Sequence, residues 1–313
     1  MRTLCLILIF LTVLTKAQTI TTYAGTGVAG FSGNGGPATA AQLSGPRTIV
    51  FDAAGNAYFS DYFNSRVRKI TSGIVSTIAG NGVNGSGGDG GLAINAQLSN
   101  VSGIAIDATG NIYLADSWNY RVRKINSAGV ISNFAGTGVS GYSGDGGPAI
   151  GAQILAPIGI VVDPSGNVYF SEGMGSGHRV RKVNTAGIIS TFAGSLMQGF
   201  SGDGGAATSA KLNYPAGLVF DAAGNLYIAD SGNQRVRMVT PQGVISTVVG
   251  SGNIGSTGDG GTALNASFNS LQDVAFDGSG NMYIADYFNH KIRKVDANGT
   301  ISTFAGTGIA GYG

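Results

Sequence analysis

The chain has 313 residues, of which 54 are glycine and 7 proline, with 43% hydrophobic and 11% charged residues. That glycine load without a three-residue period excludes collagen, and the hydrophobic content excludes a disordered tail. Long helices are excluded too, because each helical glycine costs about 1 kcal/mol. Eighteen bases stand against sixteen acids, a near-neutral balance that argues against a nucleic-acid partner.

Taken in chain order, the first segment is a basic start, Met1-Arg2, an apolar run from Leu4 to Leu14, and Thr15-Lys16-Ala17 before Gln18. The run is too short to span a bilayer and reads as a secretory signal peptide, residues 1–17, leaving a mature region at 18–313. Its removal takes away Arg2, Lys16 and the single cysteine, Cys5, and leaves bases and acids equal in number. The expected location is secreted, extracellular or periplasmic, with no insertion of the mature chain in a membrane. Cohesion must then come from a core and not from disulfides.

Downstream, one phrase recurs five times: a hydrophobic residue, Asp, two variable residues, Gly-Asn, one residue, Tyr. Its aspartates are Asp52, Asp107, Asp163, Asp221 and Asp277. Each copy is followed by an acid at Asp61, Asp116, Glu172, Asp230 or Asp286. A basic run comes next, starting at Arg66, Arg121, Arg179, Arg235 or Lys291. A run such as Ile74-Val75-Ser76-Thr77-Ile78-Ala79-Gly80 closes each unit. In the first unit the pattern predicts strand a over 48–52, strand b over 57–60, strand c over 67–70 and strand d over 74–78. Gly-Asn supplies the hairpin turn between a and b. Four short strands per unit cannot bury both faces alone, so neighbouring units must supply the core, and radial stacking into an all-β propeller of four-stranded antiparallel blades satisfies this.

These phrases, with Asp-Gly-Gly loops between units, resemble the NHL-repeat propellers, specifically a glycine-rich secreted bacterial type. The resemblance covers essentially the whole mature region and implies a fold more than a function, since such propellers include binding scaffolds and a few enzymes. Residues 19–25 read as an extra leading d strand. Five full units plus that strand predict a six-bladed ring whose remaining three strands would match the 41 residues 143–183; a five-bladed ring with a spare strand is the second reading.

Strand alternation places the b–c loops on one face of the disc, and the long d–a connections are expected beside them. The b–c loops carry the candidate partner-binding residues Tyr62, Phe63, Trp118, Glu172, His178, Tyr287, Phe288 and His290. Exposed aromatics there would meet a protein or a surface glycan; alternatively they pack against the long loops. Leu196-Met197-Gln198 and Gln272-Asp273 break the repeat and mark further points of individuality. Four sequons, at Asn84, Asn100, Asn265 and Asn298, are a weak glycosylation signal.

The charges read as structural. Fourteen bases lie in the five strand-c runs, where alternation suggests arginine–aspartate pairs holding blades together. The Gly-Asp-Gly-Gly loops at Asp89, Asp145, Asp203 and Asp259, with Asn34 in the first copy, raise a calcium reading. Each offers one carboxylate where calcium takes six to eight oxygens, so a turn aspartate bonding its own backbone is the expectation, with no cofactor. Glu172 is the sole glutamate and the best single candidate for an acid or ligand. The function expected is a non-catalytic binding scaffold. The alternative is a metal-dependent lactonase- or lyase-like enzyme with its site at the ring centre; for it, the two histidines, His178 and His290, fall in separate units.

Overall fold

The computed structural model describes residues 19–311. The expected signal peptide lies outside the described residues. Five four-stranded antiparallel sheets follow one another, each with its strands in simple sequence order. Blade 1 is β1 (Pro46–Phe51), β2 (Ala57–Asp61), β3 (Arg66–Thr71) and β4 (Ile74–Ala79). Blade 2 is β5 (Val101–Ile106), β6 (Ile112–Asp116), β7 (Arg121–Ile125) and β8 (Ile131–Ala135). Blade 3 is β9 (Pro157–Val162), β10 (Val168–Glu172), β11 (Arg179–Val183) and β12 (Ile189–Ala193). Blade 4 is β13 (Pro215–Phe220), β14 (Leu226–Asp230), β15 (Arg235–Val239) and β16 (Ile245–Val249). Blade 5 is β17 (Leu271–Phe276), β18 (Met282–Asp286), β19 (Lys291–Val295) and β20 (Ile301–Ala305).

The a–b hairpin turns explain the recurring phrase. In the second unit Asp107 accepts hydrogen bonds from the backbone N–H groups of Thr109 and Asn111, from the Asn111 amide and from the Tyr113 hydroxyl. Gly110 takes φ +84°, which a side chain would disfavour, while the following asparagine serves as a donor instead. Partial burial works against ionisation of Asp107, but the donors from Asn111 and Thr109 prevail and hold its carboxyl at about 2.

Blades are joined through their innermost strands: β1 packs on β5, β5 on β9, β9 on β13 and β13 on β17. Gly103, Gly159 and Gly217 make this approach close. A Cβ at Gly103 would stand 2.3 Å from the Ile158 carbonyl oxygen, and one at Gly159 2.3 Å from that of Ala216. Each interface then buries apolar residues of two blades in one cluster: Val67 with Ile104, Val122 with Ile160, Val180 with Leu218, and Val236 with Val274.

The structure thus shows five blades, and no sixth blade among the described residues. Residues 19–25, read above as a d strand, form no strand, because no strand c lies beside them for a ladder. The d–a connections begin beside the b–c turns, as expected: Asn119 donates to the Gly85 carbonyl and Asn64 to that of Gly30. They do not stand as a free rim, however. Each is wedged between neighbouring blades and tied to both: Gly80 N–H donates to Ala93, and Ala93 N–H to Gly129 in the c–d turn of the next blade. The short apolar turn in each wedge buries alanines such as Ala93, Ala96, Ala149 and Ala152, and these contacts outweigh solvation of the loop.

The central residue of each strand c is a fully buried arginine: Arg68, Arg123, Arg181, Arg237 and Arg293. Arg123 reaches Asp116 of its own blade at 3.4 Å and Asp89 of the preceding connection at 2.7 Å. Arg181, Arg237 and Arg293 repeat the pattern with Asp145, Asp203 and Asp259. These loop aspartates therefore do not bond their own backbone, as the turn reading had it. They hold an arginine 34 to 36 residues downstream and, in the later three, a strand-d threonine. In blade 1 the amide Asn34 bonds Thr77 instead, and Arg68 keeps Asp61 at 3.1 Å together with the Ser32 carbonyl, a loop contact that its counterparts also make.

Replacing one partner of such a buried pair strands the other, at a typical cost of about 3–5 kcal/mol. Arg123→Met is expected to lower the urea-unfolding free energy by about that amount, whereas Arg121→Met, at a half-buried side chain bonded to a single carbonyl, should cost less, about 1 kcal/mol. Acid should probe the hairpins separately. A carboxyl held at about 2 in the fold, against 3.8 when unfolded, contributes stability above pH 4 that disappears as pH falls toward 2. Thermal melts of Asp107→Asn across that window are expected to show a shallower acid loss than the parent chain.

Candidate functional site

Strand alternation puts all five b–c connections on one face. In four blades the connection is a single 3-10 turn: Tyr62–Asn64, Ser117–Asn119, Ser231–Asn233 and Tyr287–Asn289. Its asparagine donates to the strand-b aspartate and to a carbonyl of the preceding connection, as Asn119 does to Asp116 and Gly85. The next residue adopts the left-handed conformation, as at Ser65, Tyr120, Gln234 and His290. With both ends of the turn anchored, its second residue points away from the blade.

That second position holds Phe63, Trp118, Gly232 and Phe288, and Met174 stands at the corresponding place in blade 3. Phe63 is 70% exposed, Trp118 60%, Phe288 59% and Met174 45%, with Tyr287 beside Phe288 at 58%. These side chains are largely exposed, although the Phe63 ring lies against Gly45 of the connection before β1, where a Cβ would stand 2.6 Å from it. Tyr62 is half-buried, edge-on to Phe63 and beneath the Arg47 guanidinium. His290 is exposed at the end of its turn.

Blade 3 is built differently, and the difference accounts for Glu172. Its longer connection lacks the anchoring asparagine. The longer acid takes over: Glu172 lies 2.7 Å from Arg179 and 3.5 Å from Arg181, and accepts from the Leu155 backbone. In blades 1, 2 and 4 the residue matching Arg179 instead donates to a connection carbonyl: Arg66 to Asn81, Arg121 to Thr137 and Arg235 to Ser251. Those arginines press on a glycine, since a Cβ at Gly82 would meet Arg66 at 2.3 Å. With Arg179 drawn to Glu172, the matching position accepts Leu196, at φ +72°. Burial raises the Glu172 carboxyl, and the two arginines oppose that rise.

His178 is also buried. Its Nδ1 accepts from the Tyr214 backbone at 3.3 Å and its ring meets the Tyr214 ring edge-on at 5.0 Å. Burial, then the Arg179 charge, lowers its basicity, so the imidazole is neutral at pH 7. His178 thus supports Tyr214, which is 45% exposed on the same face. The structure brings Tyr62, Phe63, Trp118, Tyr287, Phe288 and His290 to the surface there, and puts Glu172 and His178 beneath it. Met174 falls inside the 172–178 connection, whose extra length marks it in the sequence, whereas Tyr214 follows only from the fold. Among the described residues no three of His, Cys, Asp or Glu converge as a ligand set.

Glu172→Gln removes a charge facing two buried arginines. It is expected to cost about 3 kcal/mol or more in chemical unfolding and to expose the Leu196 segment to limited proteolysis.

Comparison with known proteins bears on this architecture. The Teneurin NHL domain family matches residues 82–140, 137–200 and 195–257. Teneurin-4 of Mus musculus is 32% identical over 232 residues, covering 66% of this chain and 8% of its own. The chain therefore spans under a tenth of that relative. The similar curated proteins include animal teneurins, so the bacterial type expected from the glycine-rich pattern is not supported by them. Among solved structures, an auxiliary nutrient binding protein from Bacteroides thetaiotaomicron superposes with TM-score 0.61 at 17% identity, covering 86% of this chain and 61% of the other. Virginiamycin B lyase from Staphylococcus aureus does so with TM-score 0.52 at 14% identity, covering 83% and 70%. Likeness at these identities is one of fold. With five blades of the repeat in place and the family matched over more than half its length, the chain belongs to the NHL-repeat β-propellers of the teneurin type.

Proposed function

We propose that this chain is a binding scaffold that engages a protein partner through its b–c face. The single observation that carries this reading is the outward projection of Phe63, Trp118, Met174 and Phe288 from matching positions of four blades. Large apolar side chains at the ends of anchored turns bring little conformational entropy to lose on binding and much area to bury, the character of interface anchors. Glu172 and His178 act in this reading as positioning residues, holding the blade 3 connection and Tyr214. An exported location, with residues 1–17 as the leader, rests on the basic start and the apolar run from Leu4 to Leu14. A glycan is the second partner class, since exposed aromatic rings also stack on sugar faces. The nutrient-binding and lyase neighbours keep ligand binding and catalysis as rival uses of the fold.

The test is biolayer interferometry of the purified chain against a defined panel of extracellular protein domains and immobilised glycans. A specific protein ligand is expected, with affinity reduced at least about tenfold by Trp118→Ser or Phe63→Ser and unchanged by Asp107→Asn on the opposite face. Binding that survives both face substitutions, or that is confined to glycans, would overturn the proposal.

A further inference from the structure

The long connections start on one plan. Gly25, Gly80, Gly136, Gly194 and Gly250 donate to the first alanine of the wedged turn: Ala38, Ala93, Ala149, Ala207 and Ala263. In four of them the next residue donates to a second alanine: Thr26 to Ala41, Asn81 to Ala96, Thr137 to Ala152 and Ser251 to Ala266. Among the described residues Ser195, the counterpart between blades 3 and 4, is the exception and makes no such bond to Ala210. The connection leaves its turn there and returns at Gly199, whose N–H donates to the Leu212 carbonyl. Along the released segment lies a cavity of about 520 Å³, whose walls include Thr191, Ser195, Met197, Thr208, Ser209 and Lys211. That volume falls in the range of small-molecule sites.

The repeat breaks along the walls of this cavity. Leu196 stands where the other connections have Gly27, Gly82, Gly138 and Gly252, and its φ of +72° is a strained placement for a side chain, of the kind that gathers at ligand sites. Met197 follows it, 60% exposed. Thr208-Ser209 puts two hydroxyls where the other turns carry Thr39-Ala40, Ile94-Asn95, Ile150-Gly151 and Leu264-Asn265. Lys211 replaces the glutamine of Gln42, Gln97 and Gln153. With Arg47 it is one of the two bases in 18–313 that lie outside the strand-c runs. Among the described residues Lys211 forms no ion pair. The acids nearby are already matched. Asp145, which accepts from Tyr142 and Thr191, lies 2.6 Å from Arg181, and Glu172 lies 2.7 Å from Arg179.

We infer that this cavity binds a small hydroxylated monocarboxylate, of the class of free sugar acids. The Lys211 ammonium supplies one unmatched positive charge, which balances a carboxylate and leaves a phosphate dianion half-neutralised. The hydroxyls of Ser195, Thr208 and Ser209 both donate and accept, as the hydroxyls of a sugar do. Met197 supplies apolar area for the carbon skeleton. The opening is of a piece with the change in blade 3. Arg66, Arg121 and Arg235 bond the carbonyls of Asn81, Thr137 and Ser251, whereas Arg179 is drawn to Glu172 and leaves the matching segment at Ser195 unbraced. No residue of a b–c turn lines the cavity, so the site is separate from the face assigned to a protein partner.

Isothermal titration calorimetry of the full chain with D-glucuronate, D-galacturonate and N-acetylneuraminate, beside D-glucose and inorganic phosphate, tests the assignment. At least one of the three acids is expected to bind saturably, and at least about tenfold more tightly than glucose or phosphate. Lys211→Gln, which restores the residue of the other connections, should weaken that binding at least about tenfold while leaving the thermal melt unchanged. In the parent chain the Met197 methyl NMR signal should move on titration. The inference fails if none of the three acids binds saturably, if glucose or phosphate binds as tightly, if a folded Lys211→Gln binds as the parent does, or if the Met197 signal stays fixed at saturation. Trp118→Ser should leave sugar-acid affinity unaltered, so failure here and failure of the b–c face are read on different variants and different ligands.

Discussion

A charged guanidinium at the centre of every blade is the constraint around which the rest is arranged. Burying such a group is costly unless its charge and donors are met, and no single strand can meet them. The arginine of strand c is satisfied only when the aspartate of strand b and the connection from the preceding blade arrive together, as Asp116 and Asp89 do at Arg123. Each pair therefore reports on correct assembly of two consecutive units, and the twenty-residue connections become part of the architecture.

The apolar contribution is more uniform and less selective. Small β-branched and alanine side chains fill the interfaces, and glycines on the inner strands let β5, β9 and β13 come close to their neighbours. Polar pairs set which loop belongs to which blade, while apolar burial supplies most of the driving force. Blade 3 shows how tightly the two are linked. Glutamate for aspartate, a redirected Arg179 and Leu196 in a glycine position are three departures from the repeat, and they form one compensated change.

The b–c face is a by-product of this economy. Once Asn64, Asn119 and Asn289 pin the turns from within, the adjacent position is released from structural duty. It is there that the units diverge into Phe63, Trp118, Met174, Gly232 and Phe288. What folding needs is repeated in every unit, and what faces outward is where the units differ.

The amino-acid sequence by itself determined the blade. Period-two alternation, the Gly-Asn turns and the 55- to 58-residue spacing of the phrases are local signals, and strands and hairpins depend on local signals. The face of the b–c residues was legible for the same reason, as strand direction follows from counting. What tertiary structure decided is which groups meet across units. That the loop aspartates bind arginines of the following blade, that Glu172 is buried between two of them, and that His178 holds Tyr214 all depend on contacts 34 or more residues apart or on burial. The same holds for residues 19–25, whose residue pattern is that of a strand but whose pairing requires a neighbour. A β-strand is completed by its partner, and one strand's sequence does not say where the partner is.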